Sequence, residues 1–412
     1  MTVAKNFSKG YAKAFSAAVL TTSMLGYSAV SSAGATFKID ETKWISVGAG
    51  LRTSFTATEE AAAGSKWSND FSIDNMRLYL NAQLHEYIKL EFNTECQFCG
   101  SNGGEMKILD AIGKFEFNEH INLWVGRMLV PAERREMNGP FYSANYNVFS
   151  TGTPFESADF AGPGSGVGSG TAGLYGRDDG ATLWGSVLEG RLQYAFGVFN
   201  GLRSDDNVAN GDDNLLYAQR VAYNFWDVEK NPGYYTSGTY YGGAGDILTL
   251  GVSNQYQEDG AGSATDEGDF RGTAVDVLME KVLGNGGVVT VNGEYKNYAI
   301  SSGYSQATRD GAAPGWNMFE GDAYDIGAMY LFPQKVLIGQ FQPFLRYTNT
   351  MPTHSADRDA YEAGVNYIID GHNAKVSLNW HYGDRTTKGL DYSSDAAGDD
   401  IHSITLGLQL QI

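Results

Sequence analysis

Long apolar runs are missing from this chain once its first residues are passed. No segment beyond residue 33 approaches 18 consecutive apolar residues, so no helix of the sequence is fit to cross a bilayer. Mean hydropathy is −0.30, which also excludes a helical membrane protein. Cysteine is nearly absent: there are two, Cys96 and Cys99, in 412 residues. That excludes a disulfide-built scaffold and a zinc site made of cysteine alone. A c-type haem attachment needs CxxCH, and Gly100 stands where the histidine would be. Basic charge is scarce as well, with 29 Lys and Arg against 48 Asp and Glu and a net charge of −19. Phosphate contacts need a basic surface, so nucleic acid is not an expected partner. HExxH, GxSxG and Walker signatures are all missing, and the six histidines (His85, His120, His354, His372, His381, His402) are scattered. The reading is therefore not an enzyme, with no cofactor and no metal. No Pro/Ser-rich linker or composition break divides the chain, so residues 34–412 are read as one domain.

What is present is alternation. At the C-terminus Ile404, Leu406, Leu408, Leu410 and Ile412 alternate with Ser403, Thr405, Gly407, Gln409 and Gln411. A strand sends successive side chains to opposite faces, so one face is apolar and the other small and polar. The pattern recurs back to residue 45. Strands that are apolar outside and polar inside, repeated along a whole chain, predict an all-β transmembrane antiparallel barrel. Sixteen strands can be placed between Trp44 and Ile412, paired by tight turns such as Asn285-Gly286 and Asp370-Gly371. Long connections are expected at 58–70, 96–105, 131–178, 201–215, 257–270, 299–322, 350–360 and 384–400. One connection, 229–245, is long where a short turn is due, which leaves 18 strands open. Aromatic residues near strand ends, among them Trp44, Phe117, Tyr223, Phe225, Tyr330, Phe332, Tyr367, Trp380 and Tyr382, suit a membrane interface. Ahead of the strands, Lys5, Lys9 and Lys13 precede an apolar and small-residue run, Ala14 to Val30, and then Ser31-Ser32-Ala33. That is the pattern of an export signal cleaved after Ala33. Export with strand-only spans points to the outer membrane of a Gram-negative cell, with lipid and lipopolysaccharide around the barrel.

Parity also assigns the inner wall. Arg52, Arg77, Arg220, Lys296, Arg346 and Lys375 fall on it, with Glu91, Glu116, Glu294, Asp325 and Glu362. A charge of this kind facing lipid would cost about 2–4 kcal/mol at mid-bilayer. A mixed set suggests a transverse field with weak charge selectivity. The longest irregular stretch, 131–178, adds Glu133, Arg134, Arg135 and Glu136. If it enters the lumen, Arg134 and Arg135 are the constriction contacts best suited to grip a carboxylate or phosphate in two-point fashion. A salt-bridged loop would explain the same residues. For Cys96 and Cys99 a local loop-closing disulfide ranks first, thiols meeting a partner second, and a metal site last.

Four segments carry a family resemblance. NMRLYLNAQLHEYIKLEFNTE (Asn75–Glu95) resembles the early strand–turn–strand of the phosphate-selective porin O and P family. INLWVGRMLVPAERRE looks like that family's strand entering its constriction loop, and GRDDGATLWG and YEAGVNYIIDGHNAKVSLNW extend the match. The resemblance implies a 16-stranded, trimeric diffusion channel whose third extracellular loop, here 131–178, folds into the lumen. The chain departs from the family in lacking a lysine cluster in that loop, in ending on Ile412, and in its CxxC. The expectation is an outer-membrane porin passing small hydrophilic solutes and ions. The rival is a barrel sheath around a partner multihaem cytochrome, which would need a wide, empty lumen.

Overall fold

The computed structural model describes residues 34–97, 99, 106–147, 176–201, 210–231, 233–263, 265–301, 320–353, 357–384 and 400–412. The expected export signal and most of the expected third loop lie outside these residues. Seventeen strands follow one another: β1 (Ala35–Lys38), β2 (Trp44–Ala62), β3 (Lys66–His85), β4 (Ile88–Gln97), β5 (Lys107–Glu116), β6 (Asn122–Leu129), β7 (Arg177–Val187), β8 (Leu192–Phe199) and β9 (Leu216–Asn224). They continue as β10 (Ile247–Ser263), β11 (Asp266–Val282), β12 (Val288–Ile300), β13 (Gly321–Leu331), β14 (Gln340–Pro352), β15 (Arg358–Asp370), β16 (Ala374–Asp384) and β17 (Asp400–Gln411). A five-residue helix, α1 (Arg134–Asn138), lies between β6 and β7.

From β2 to β17 each strand pairs antiparallel with the next, and β17 pairs back onto β2. The result is a closed 16-strand barrel without a free edge, which satisfies every ladder of the wall. β1 is the extra strand. β17 stops where Ile412 and Ala49 exchange backbone bonds of 2.9 and 3.0 Å, and β1 takes over the same edge of β2 from Val47 to Trp44. The end holding Ile412 is called the near end below, and the other the far end.

The alternation is strict where the wall is tallest. β12 alternates buried and half-buried residues along its whole length, and β9 alternates buried with exposed or half-buried ones. The outer face carries Ile404, Leu406 and Leu410 on β17, Leu248, Leu250 and Val252 on β10, and Ile326 on β13. Paired rings sit at two levels of that face. Tyr223–Phe225, Tyr330–Phe332 and Phe341–Tyr367 lie toward the near end, and Tyr295–Tyr324, Tyr347–Tyr361 and Trp380–Tyr382 toward the far end.

Three expectations are corrected. The connections expected at 58–70 and 257–270 are mostly strand: β2 and β3 run on to Ala62 and Lys66, and β10 and β11 to Ser263 and Asp266. Apart from Trp67 and Phe270 the residues there are mostly polar or small, so the backbone ladder continues where the hydrophobic alternation has stopped. Bulges mark the change, at Thr58/Ala62 and Gln257/Ala261. The stretch 229–245 is not a missed hairpin, so the count is 16 and not 18. It folds inward from the near end. Finally, the inner wall is not polar throughout. Ile112, Trp124, Met128, Phe199, Leu216, Phe270 and Tyr298 form one buried apolar cluster, built by β5, β6, β8, β9, β11 and β12.

Candidate functional site

The site is the inside of the barrel. The β6–β7 loop leaves the far end of β6 and turns into the lumen, and its described part, 130–147, is buried almost throughout. Its first half is held by charge. Glu133 is ion-paired with Lys296 of β12. Arg134 is gripped at two points by Glu229, at 2.8 and 2.7 Å, and its Nε lies 3.5 Å from Asp276 of β11. Arg135 is ion-paired with Asp325 of β13 and lies 3.7 Å from Glu294 of β12. The wall also caps α1. The N–H of Arg134 donates to Asp276 (3.3 Å) and that of Arg135 to Glu294 (3.0 Å), satisfying donors that a helix start leaves open. Glu136 packs against Gly176, where the loop returns. A Cβ at Gly176 (φ +71°) would fall 2.6 Å from its carboxylate.

The second half is held by its own main chain. Five wall side chains donate to its carbonyls in turn. Gln409 of β17 reaches Phe141 O (2.8 Å), Lys375 of β16 reaches Ser143 O (2.8 Å), and Asn366 of β15 reaches Ala144 O (3.1 Å). Arg52 of β2 reaches Tyr146 O, and Arg346 of β14 reaches Asn147 O (2.7 Å). The Tyr146 hydroxyl donates to Asp74 of β3 (2.5 Å). Two inward glycines make room for the loop's rings. A Cβ on Gly50 would sit 2.8 Å from the Phe141 ring, and one on Gly407 2.5 Å from Tyr146. From β11 round to β3 the loop touches the wall at nearly every strand, so it crosses the lumen.

A second insertion meets it from the near end. Residues 225–246, between β9 and β10, carry Tyr234, Tyr235, Tyr240 and Tyr241 inward. Trp124 of β6 packs its ring 5.3 Å from Tyr234 and 5.4 Å from Tyr235, with Trp184 at 5.4 Å. The hydroxyl of Tyr234 donates to Leu129 O. Thr239 Oγ1 (2.7 Å), the Tyr240 N–H (3.0 Å) and the Gly242 N–H (2.6 Å) all donate to the Glu280 carboxylate of β11. His372, in the near-end turn between β15 and β16, sits between Tyr142 and Tyr241, with ring centroids 5.5 and 5.0 Å away. Its Nε2 lies 2.9 Å from Thr239 O and 3.1 Å from Ser237 Oγ. Burial holds the His372 ring down at about 3, and the nearby Lys375 ammonium adds to this, so the ring is neutral at neutral pH.

Of the fifteen charged residues singled out in the sequence, thirteen are buried inside the barrel, and Glu91 and Glu116 are half-buried. Most are neutralised. Besides the loop pairs, Arg220 is bound to Asp276 (Nη2–Oδ1 2.8 Å), Arg77 to Glu95, and Arg346 to Asp325 (2.6 Å) and Glu362 (2.9 Å). Arg134 and Arg135, expected to grip a solute, are thus committed to protein carboxylates. Arg52 and Lys375 differ. Arg52 donates to Asn75 Oδ1 (2.6 Å) and Tyr146 O, and Lys375 to Ser143 O, all neutral acceptors. Lys375, Gln409, Arg52 and Asn75 stand in register on four adjacent strands. Cys96 and Cys99 are joined as a disulfide at the far end of β4, with Cα atoms 5.7 Å apart. Sequence reading missed Glu229, which lies on the connection read as an irregular turn, and Glu280 and His372, whose partners lie on it.

At the level of sequence, no protein-family model and no curated protein matches the chain. At the level of fold it is similar to OmpT, an outer-membrane protein of Vibrio cholerae, at 13% identity over 92% of this chain and 100% of that one, with a TM-score of 0.53. OmpT is also known in a trimer form. OmpF of Salmonella typhi, in complex with daunomycin, is similar at 12% identity, 92% and 100% coverage and a TM-score of 0.55. So is the outer-membrane channel DcaP of Acinetobacter baumannii, at 12%, 92% and 100%, and 0.50. At these identities the likeness is one of fold: a 16-strand porin barrel with one added strand.

Proposed function

We propose that the chain is an outer-membrane channel for passive diffusion of small hydrophilic solutes and ions, with weak charge selectivity. The observation that carries this reading is a closed barrel that is apolar outside, charged inside, and crossed by a loop from its far end. Only a closed barrel lets strands cross hydrocarbon with every backbone group paired. The two levels of aromatic pairs suit two headgroup layers. A charged inner wall has no use in a dry core but lines a water path.

The selectivity reading rests on the wall. Most inward cations are offset by a carboxylate at salt-bridge distance, so they add little net field. Arg52 and Lys375, buried beneath the loop with no carboxylate at salt-bridge distance, leave a positive potential along β15, β16, β17 and β2, which favours a mild anion preference. Lipid and lipopolysaccharide contact, export through residues 1–33 and assembly as a homotrimer belong to the same proposal. The cytochrome sheath needs the lumen that the β6–β7 loop occupies, which weighs against it.

The test is single-channel recording of the purified protein in planar bilayers with a KCl gradient. Discrete, stable steps with a small reversal potential are expected. Correctly folded barrels that never conduct would overturn the proposal.

A further inference from the structure

The near-end connections of this barrel are short turns with one exception. The 225–246 segment is built into the lumen, and its polar groups are met there. Its Gly238 N–H donates to Tyr142 O (2.9 Å), and its Thr236 Oγ1 to Arg134 O (2.7 Å), both on the β6–β7 loop. Asn292 of β12 donates to Gly238 O (3.0 Å). Gly238 is itself a close-approach position, since a Cβ there would lie 2.7 Å from the Ala144 nitrogen. A buried segment keeps its backbone satisfied only where its path is specified residue by residue. Contacts to β6, to β11 and β12, and to the β15–β16 turn stretch it across the near end, under the β6–β7 loop.

We propose that the 225–246 segment is the near-end half of the constriction, that it sets the size limit for solutes jointly with the β6–β7 loop, and that Glu229 couples the two halves through Arg134. This rests on the channel reading above. A solute that clears Tyr142 next meets Ser237 to Tyr241, and neither insertion can withdraw without breaking the two-point Arg134–Glu229 contact. Burial would push the Glu229 carboxyl up, but the Arg134 guanidinium facing it holds it below the ordinary carboxylate range, so the contact is charged at neutral pH.

The geometry supplies a clean variant. Asp227 and Asp246 already face each other, with the Asp227 N–H donating to Asp246 O at 2.9 Å. An Asn-Gly turn in place of residues 228–245 therefore closes a tight hairpin without disturbing β9 or β10. Full-length native and shortened proteins are compared for single-channel conductance and for uptake of neutral sugars of graded size into liposomes. Folding is checked by heat-modifiable mobility. The shortened barrel is expected to conduct about twofold or more above native and to admit larger sugars. If shortening prevents folding, Glu229→Gln keeps the chain length and is expected to give frequent steps above the native level. A folded variant with native conductance and native size limit, beside a conducting native barrel, overturns the inference and leaves the channel reading intact. A silent native barrel whose shortened form conducts supports the segment as the block and removes the open-channel reading. Silence from both overturns the two together.

Discussion

The two halves of the β6–β7 loop rest on two successive stretches of the barrel wall through different chemistry. From Glu133 to Arg135 the loop meets β11, β12 and β13 with side-chain charges, each facing a carboxylate or ammonium on the wall or on the second insertion. From Phe141 to Asn147 it meets β14 to β17 and β2 with its own carbonyls, and the wall supplies the donors. The first contact depends on the loop's sequence and cancels charge. The second is indifferent to most loop side chains, and it leaves Arg52 and Lys375 buried against neutral oxygens. A buried cation facing only carbonyls is solvated incompletely. On the proposed channel reading, the second side is therefore where a passing anion would gain most.

The comparison is broken most severely on the charged side. Arg134→Met leaves Glu229 buried without its cation, and loss of one partner of such a pair costs about 3–5 kcal/mol. Denaturant unfolding followed by heat-modifiable mobility should show the loss, and pairing the change with Glu229→Leu should recover most of it. An Arg134→Met barrel as stable as native would mean that the pair does not hold the loop. On the carbonyl side a steric change is the stronger probe. Gly407→Val drives a side chain into the Tyr146 ring and should cost about 1–3 kcal/mol, whereas the same change at Gly113, where a Cβ would meet nothing closer than 3.7 Å, should cost less.

Acid sharpens the picture at the clasp around His372. The folded ring stays neutral down to about 3, against an ordinary value of 6.5, so the unfolded chain takes up the proton first. Stability is full above about pH 6.5 and falls as the pH drops toward 3. The charged group acting on the ring is the Lys375 ammonium from β16; the Tyr142 and Tyr241 side chains that flank it from the two insertions are uncharged over this range. Melting temperatures between pH 7 and pH 4 should fall less steeply in His372→Phe than in native protein, and identical slopes would remove His372 from the clasp. The smallest stability effect is expected from Lys375→Met. It exchanges one hydrogen bond of about 1 kcal/mol for the relief of an unpaired buried charge, and urea midpoints should barely move.

Much of this was legible in the sequence, and what was not has physical reasons. Period-two alternation from Ile45 to Ile412 reports a wall with one apolar face, and parity then puts Arg52, Arg77, Arg220, Lys296, Arg346 and Lys375 inside. Length marked 131–178 as the longest irregular stretch, and the porin resemblance implied that it folds into the lumen. Parity says nothing of pairing across the lumen, however. Arg134 and Glu229 are 95 residues apart, and nothing local joins them. The carbonyl contacts are invisible in principle, because main-chain oxygens carry no sequence signature. The apolar inner wall around Trp124 was hidden by the assumption that inward means polar. The 225–246 insertion did leave a trace, since a long stretch rich in Gly, Tyr, Ser and Thr stood where a tight turn was due.

The most direct test of the contrast between the two sides is the reversal potential in a KCl gradient for three proteins: native, Arg52→Met/Lys375→Met, and Lys114→Met/Glu91→Leu. The last removes a paired cation and anion from the inner wall and leaves net charge unchanged. The account predicts a mild anion preference in native protein, its loss or reversal in the Arg52/Lys375 variant, and native behaviour in the paired control. An unchanged reversal potential in the Arg52/Lys375 variant, or an equal shift in the control, would contradict it.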